Sequence, residues 1–210
     1  MDAKRGDIGS TAEAYARSYL YPESSCPVDA LTVNPYLGVD SLSPFIKAAA
    51  HGETGLFVLA KTSNRGSGEF QDLSTDGARL FQKVACALRP HADALVGTSG
   101  WSSIGIVAGA TFPADAMELR KSLPNSLFLI PGFGAQGGQL QSAFASFVHG
   151  DANLEGGLIS SSRGILFGDD SASRAEDWRG AFRARLQLTI NQLSDVVQGT
   201  SGRMPDGLRK

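Results

Sequence analysis

The sequence predicts an α/β protein in which β/α units wrap around a parallel sheet, and two observations carry that expectation. Short apolar runs alternate with stretches whose apolar residues recur every three or four positions, the rhythm of strand followed by helix. Each run is apolar on both parities, as expected of strands covered on both faces. Glycine is in excess, with 25 in 210 residues where the usual share would give about 15.

Taken in chain order, Ser10 with Glu13 three residues on reads as a capping box opening a helix through Ala14, Tyr15 and Ala16. Only Met1 to Gly9 precede it, so this helix is expected to lack a strand of its own. The predicted strands are Ala30 to Val33, Leu56 to Ala60, Ile104 to Ala108, Leu127 to Ile130 and Gly157 to Ile159. Between them come helices near Ser43 to Ala50, through Leu80, Phe81, Val84 and Leu88, after Pro113, and through Leu140, Ala143, Phe144 and Phe147. A last helix carries Trp178, Phe182, Leu186, Ile190, Leu193 and Val197 on one stripe, behind a second capping box at Ser173 and Glu176. The two tryptophans and the phenylalanines are read as core. Five units and an orphan helix suit either an open doubly wound sheet or part of an eight-unit barrel, and periodicity does not choose. The 210 residues read as a single domain without repeat or linker.

Composition excludes several classes. With 42% hydrophobic and 19% charged residues the chain can bury a substantial core, which excludes disorder. A net charge of −2 gives no electrostatic case for a nucleic-acid or anionic-membrane partner. Cys26 and Cys86 stand far apart, and no signal peptide or long apolar run occurs, so the expected setting is the cytoplasm. His51, His91 and His149 stand apart without ligand spacing, and no metal site is read.

Four clusters could carry chemistry. Asp2 and Asp7 bracket Lys4, and two nearby carboxylates favour the protonated lysine, a proton donor held in its charged state. Pro131-Gly132-Phe133-Gly134-Ala135-Gln136-Gly137-Gly138 follows a strand and precedes a predicted helix, where glycines let backbone amides approach an anion. Gly132, Gly134 and Gly137 also spell G-x-G-x-x-G, which leaves open an NADP-dependent oxidoreductase, although the acid a dinucleotide fingerprint needs at the next strand end is replaced by Ser160 to Arg163. Ser161-Ser162-Arg163-Gly164 suits bidentate phosphate binding, and two adjacent anion-friendly strand ends favour a phosphate site. Lys61-Thr62-Ser63-Asn64 offers small polar groups at a strand end, able to read a heterocycle's edge. A non-catalytic phosphate-binding module is the third reading.

Asp2-Ala3-Lys4-Arg5-Gly6-Asp7-Ile8-Gly9-Ser10-Thr11 resembles the active-site signature of the orotidine 5′-phosphate decarboxylase family. The other three clusters resemble, in order, the later motifs of its bacterial branch. The resemblance implies a TIM (β/α)₈ barrel that converts orotidine monophosphate to UMP and carbon dioxide in pyrimidine synthesis, with no metal or organic cofactor. It implies that Lys4 is the proton donor, with Asp2 and Asp7 completing its charged array. It also implies a homodimer in which Asp7 and Thr11 reach the partner's site. Ser63 then contacts the pyrimidine edge, Pro131 and Gln136 contact the substrate, and Arg163 grips the phosphate. In the family another lysine and a ribose-binding aspartate precede the signature. Residues 1–210 hold neither, so the expectation is an incomplete barrel lacking its first two β/α units, with a fraying start and little activity by itself.

Overall fold

The computed structural model describes residues 1–133, 140–150, 154–167 and 177–200. In chain order these form α1 (Gly9–Leu20), β1 (Ala30–Val33), α2 (Val39–Gly52), β2 (Gly55–Lys61), α3 (Gly68–Gln71), β3 (Ser74–Thr75), β4 (Ala78–Arg79), α4 (Leu80–Ala94), β5 (Ser102–Ala108), α5 (Pro113–Ser122), β6 (Ser126–Ile130), β7 (Val148–His149), β8 (Leu154–Glu155), β9 (Gly157–Ile159), α6 (Ser162–Leu166) and α7 (Trp178–Thr200). All five predicted strands are present. They pair in the order β1-β2-β5-β6-β9, every pair parallel. Each β/α unit therefore adds its strand beside the previous one, the winding of a (β/α) barrel. A doubly wound sheet reverses its order and binds dinucleotides where it reverses. The described strands contain no reversal, so the dinucleotide alternative loses its crevice.

Helices cover one face of this arc. Leu31, Val33, Leu56, Val58, Ile104, Ile106, Phe128 and Ile130 point outward and are at most 2% exposed. They pack with Ala12, Ala16 and Leu20 of α1, Leu42 and Phe45 of α2, Phe81 and Leu88 of α4 and Leu119 of α5. The expectation of strands covered on both faces is corrected on the other side. Phe57, Leu127 and Leu129 are half-buried and Leu158 is exposed, because the inner face of the arc borders an open cleft.

The chain's first residues also differ from expectation. The Met1 ammonium donates to Ala30 O at 2.6 Å, Thr32 N to Met1 O at 3.1 Å, Arg5 N to Thr32 O at 3.1 Å and Asn34 N to Arg5 O at 2.7 Å. Met1 to Arg5 thus lies parallel beside β1, tied by four hydrogen bonds rather than frayed, and the orphan helix α1 does have a segment paired with the sheet before it. Its N-cap is Ile8 in an extended conformation with no side-chain cap. Ser10 lies inside the first turn, so the Ser10–Glu13 capping box is not formed.

Four further expectations are corrected or left aside. The predicted helix through Leu140 to Phe147 is a single 3₁₀ turn, Gln141–Phe144, followed by the β7–β8 pair. Ser146 O accepts from Arg120 Nε at 2.8 Å, and the Phe147 ring fills the space beside Gly157, where a Cβ would come within 2.3 Å of it. These long-range contacts override the local helical period. Trp178, Phe70 and Phe167 are exposed rather than core. The α7 stripe is helical as expected, but Trp178 and Ile190 are exposed and the rest only half-buried. The Ser173–Glu176 capping box lies outside the described residues.

Arg120 organises the lower end of the arc. Its guanidinium donates to the carbonyls of Ser146, Leu123, Pro124, Ser126 and Gly156 at 2.6 to 3.1 Å and lies 3.9 Å from the Phe128 ring centroid. Burial pushes its pKa down to about 10, still far enough above neutrality to leave it charged. Carbonyl dipoles and the faces of Phe128 and Trp101 stabilise this cation, which joins α5 and β6 to the segment before β9.

Candidate functional site

The strand ends are stitched in sequence order. Gly109 N donates to Lys61 O at 2.7 Å, Ala110 N to Pro131 O at 2.9 Å and Ser160 N to Ile130 O at 3.0 Å. Ser63, Pro131 and the Ser160–Arg163 segment therefore follow the carboxyl ends of β2, β6 and β9, the face where barrels place their chemistry. Below them lies a cavity of about 320 Å³ lined by Asp2, Lys4, Thr32, Phe57, Val107, Leu129, Pro131, Ser160 and Ser162, with Met1 and Ala30.

At one wall of this cavity Lys4 Nζ donates to Asp2 Oδ1 at 2.6 Å. The pair hangs on Thr32, a residue hidden in the sequence inside an apolar run. Thr32 Oγ1 accepts from Lys4 N at 2.8 Å and donates to Asp2 Oδ1 at 2.9 Å. Thr32 is 2% exposed, so its hydroxyl is a fixed point. Lys4 has φ of +48°, a left-handed conformation that costs a non-glycine residue about 1 to 2 kcal/mol. The Thr32 hydroxyl and carbonyl, bonding successive amides of Lys4 and Arg5, hold the turn. Burial on its own would raise the Asp2 pKa. The hydrogen bonds from Lys4 and Thr32, with the Lys4 charge, outweigh it and hold the carboxyl below its ordinary value of 3.8.

The other expected residues divide. Pro131 lines the cavity, and Gly132 after it has φ of +91°, the turn that starts the glycine loop. Gln136, Gly134 and Gly137 lie outside the described residues. Ser63 is buried after β2, its carbonyl accepting from Thr111 Oγ1 at 3.2 Å. Arg163 is exposed in α6. Asp7 turns toward its own backbone, with Oδ1 accepting from Ile8 N at 2.8 Å. Thr11 is exposed on α1, and neither Asp7 nor Thr11 lines the cavity. Within one chain, then, the structure brings Asp2 and Lys4 together and leaves the half-buried Asp7 and the exposed Thr11 off the cavity wall.

An arc of sequential β/α units with an ion pair on the wall of a cavity at its strand ends has the architecture of a (β/α) barrel that carries its site on that face. Residues 1–178 match the Orotidine 5′-phosphate decarboxylase / HUMPS family. The chain is 45% identical over 207 residues to the orotidine 5′-phosphate decarboxylase of Rhodopirellula baltica, covering 94% of this chain and 66% of that protein. Against the protein of the same name from Haloarcula marismortui it is 44% identical, covering 92% and 65%. The solved structure of Leishmania donovani OMP decarboxylase superposes with a TM-score of 0.67 at 35% identity, covering 92% of this chain and 67% of that one. This chain belongs to the orotidine 5′-phosphate decarboxylase / HUMPS family. It spans about two thirds of the length of the relatives it matches.

Proposed function

We propose that the chain carries the active site of an orotidine 5′-phosphate decarboxylase, a carboxy-lyase that converts orotidine monophosphate to UMP and carbon dioxide. The observation that carries this reading is the Asp2–Lys4–Thr32 cluster on the wall of a cavity that also touches Pro131 and Ser162, in a chain 45% identical to a protein of that name. In this reading the bond between C6 and the carboxylate carbon breaks, carbon dioxide leaves, and the electron pair left on C6 takes a proton from Lys4 Nζ. A cation aimed at the developing charge lowers the barrier. Asp2 orients Lys4 through their hydrogen bond, and half-exposure of Lys4 gives solvent a route to return the proton. Ser63 reads the base, Gln136 bridges toward base and phosphate, and Pro131 shapes the loop against the substrate. Arg163, exposed at the start of α6, holds the phosphate, whose remote binding energy is directed to the reacting centre.

The position of Asp7 and Thr11 off this chain's own cavity wall supports a homodimer in which both reach the partner subunit's site. We assign the enzyme to the cytoplasm. Among the described residues no helix is long and apolar enough to cross a membrane. The test is chromatographic: prolonged incubation with orotidine monophosphate yields UMP slowly with the chain and none with Lys4→Ala, while Lys4→Ala still binds UMP. Turnover by Lys4→Ala would overturn the proton-donor role.

A further inference from the structure

Lys61 is 1% exposed, and nothing in the proposed reaction uses its charge. Its ammonium lies 2.5 Å from Asp72 Oδ1, 3.7 Å from Asp115 Oδ2 and 4.3 Å from the Phe112 ring centroid. Arg79 extends the network to Asp115 and Glu118, at 2.9 Å each. A buried ion pair is commonly no more stable than well-packed apolar residues of the same volume, so stability alone gives little reason for a lysine here. What the pair does is geometric. Asp72 lies eleven residues beyond Lys61, at the far end of the loop that holds Ser63.

A second tie closes the same loop. Thr62 N donates to Gln71 Oε1 at 2.9 Å, and Gln71 Nε2 donates to Thr62 Oγ1 at 2.8 Å. Thr62 Oγ1 in turn donates to Asn64 Oδ1 at 2.6 Å. Ser63 therefore sits between two residues that are each clasped across the loop base or within it. From the other side Gly109 presses on it, since a Cβ there would lie 2.7 Å from Ser63 Cα.

We propose that the Lys61–Asp72 pair and the Thr62–Gln71 pair form a clasp that positions Ser63 for contact with the edge of a nucleobase, Lys61 and Gln71 being positioning residues. This rests on the proposed function for the identity of the base, and on the structure alone for the clasp. A serine that reads a base must be placed within about 0.5 Å, and a doubly tied loop base supplies that placement where an apolar plug would not.

The test uses Lys61→Met, Gln71→Ala and Ser63→Ala in the full chain. Affinities for UMP and for ribose 5-phosphate, which lacks the base, are measured by calorimetry, and amide hydrogen exchange is followed over residues 62–72. Lys61→Met and Gln71→Ala are expected to weaken UMP about tenfold, to leave ribose 5-phosphate within twofold, and to accelerate exchange only in that loop. Adding Ser63→Ala to either is expected to cost nothing further, since contacts acting through one residue are not additive. Gln71→Ala, on the half-buried outer side of the loop, keeps the test open if Lys61→Met does not fold. If Ser63→Ala weakens UMP while neither clasp variant does, the positioning role is overturned. Failure of the unaltered chain to bind UMP would count against the proposed function, and loop exchange would still decide the clasp: faster exchange supports it, unchanged exchange overturns it.

Discussion

Thr32→Val is nearly isosteric and removes one oxygen, yet that oxygen holds both partners of the ion pair. The substitution deletes the donor to Asp2 Oδ1 and the acceptor of Lys4 N. A part-buried amide left without a partner costs about 1 to 3 kcal/mol. The bond to the carboxylate adds little, because Asp2 is 64% exposed and solvent screens it. The sum is about 2 kcal/mol, or a drop in Tm of about 4 to 8 °C for a chain of this size. The functional effect is larger, because Lys4 then loses one of the bonds that hold its left-handed backbone and its ammonium drifts from the cavity wall. Turnover of orotidine monophosphate is expected to fall at least tenfold while UMP affinity changes less than threefold, and Thr32→Ser is expected to retain both. The Asp2 carboxyl, followed by carbon-detected NMR, should titrate closer to its ordinary value in Thr32→Val. If Asp2 titrates identically in both proteins and turnover is unchanged, Thr32 is not the fixed point of the site.

The Asp2 carboxyl is lowered by its partners, so its contribution to stability is fully present above its ordinary value of 3.8 and is lost as pH falls through the lowered value. Thermal melts of the unaltered chain and Asp2→Asn should therefore differ at neutral pH and converge in acid. Arg163→Ala is expected to weaken UMP and ribose 5-phosphate alike by tenfold or more, measured by calorimetry; an unchanged affinity would remove Arg163 from the phosphate site. Arg120→Met leaves five carbonyls without their common donor and should cost about 4 kcal/mol in a denaturant titration, whereas a change below about 1 kcal/mol would mean the carbonyls find other partners.

Where the sequence was read correctly, the signal was local. The five strand runs, the helix begun by Pro113 and the stripe of α7 each announce themselves within one window, and the Asp2–Lys4 pair lies within three residues. Where it failed, the deciding partner lay far along the chain. Thr32 read as one more β-branched strand residue because its partners, Asp2 and Lys4, are about thirty residues away. Lys61 read as a polar strand end, and only the fold brings Asp72 and Asp115 to it. The helical period of Leu140 to Phe147 was real, but Arg120 claims a carbonyl the helix would need. The Ser10–Glu13 spacing matched a capping box, yet the helix starts one residue before Ser10.

A cleft that binds a pyrimidine nucleotide through Asp2, Lys4 and the loops after β2, β6 and β9 should discriminate between UMP and NADP when the chain is titrated with each by calorimetry. Saturable binding of UMP that Arg163→Ala weakens, with no heat from NADP, is expected. Binding of NADP with none of UMP would overturn the proposed function.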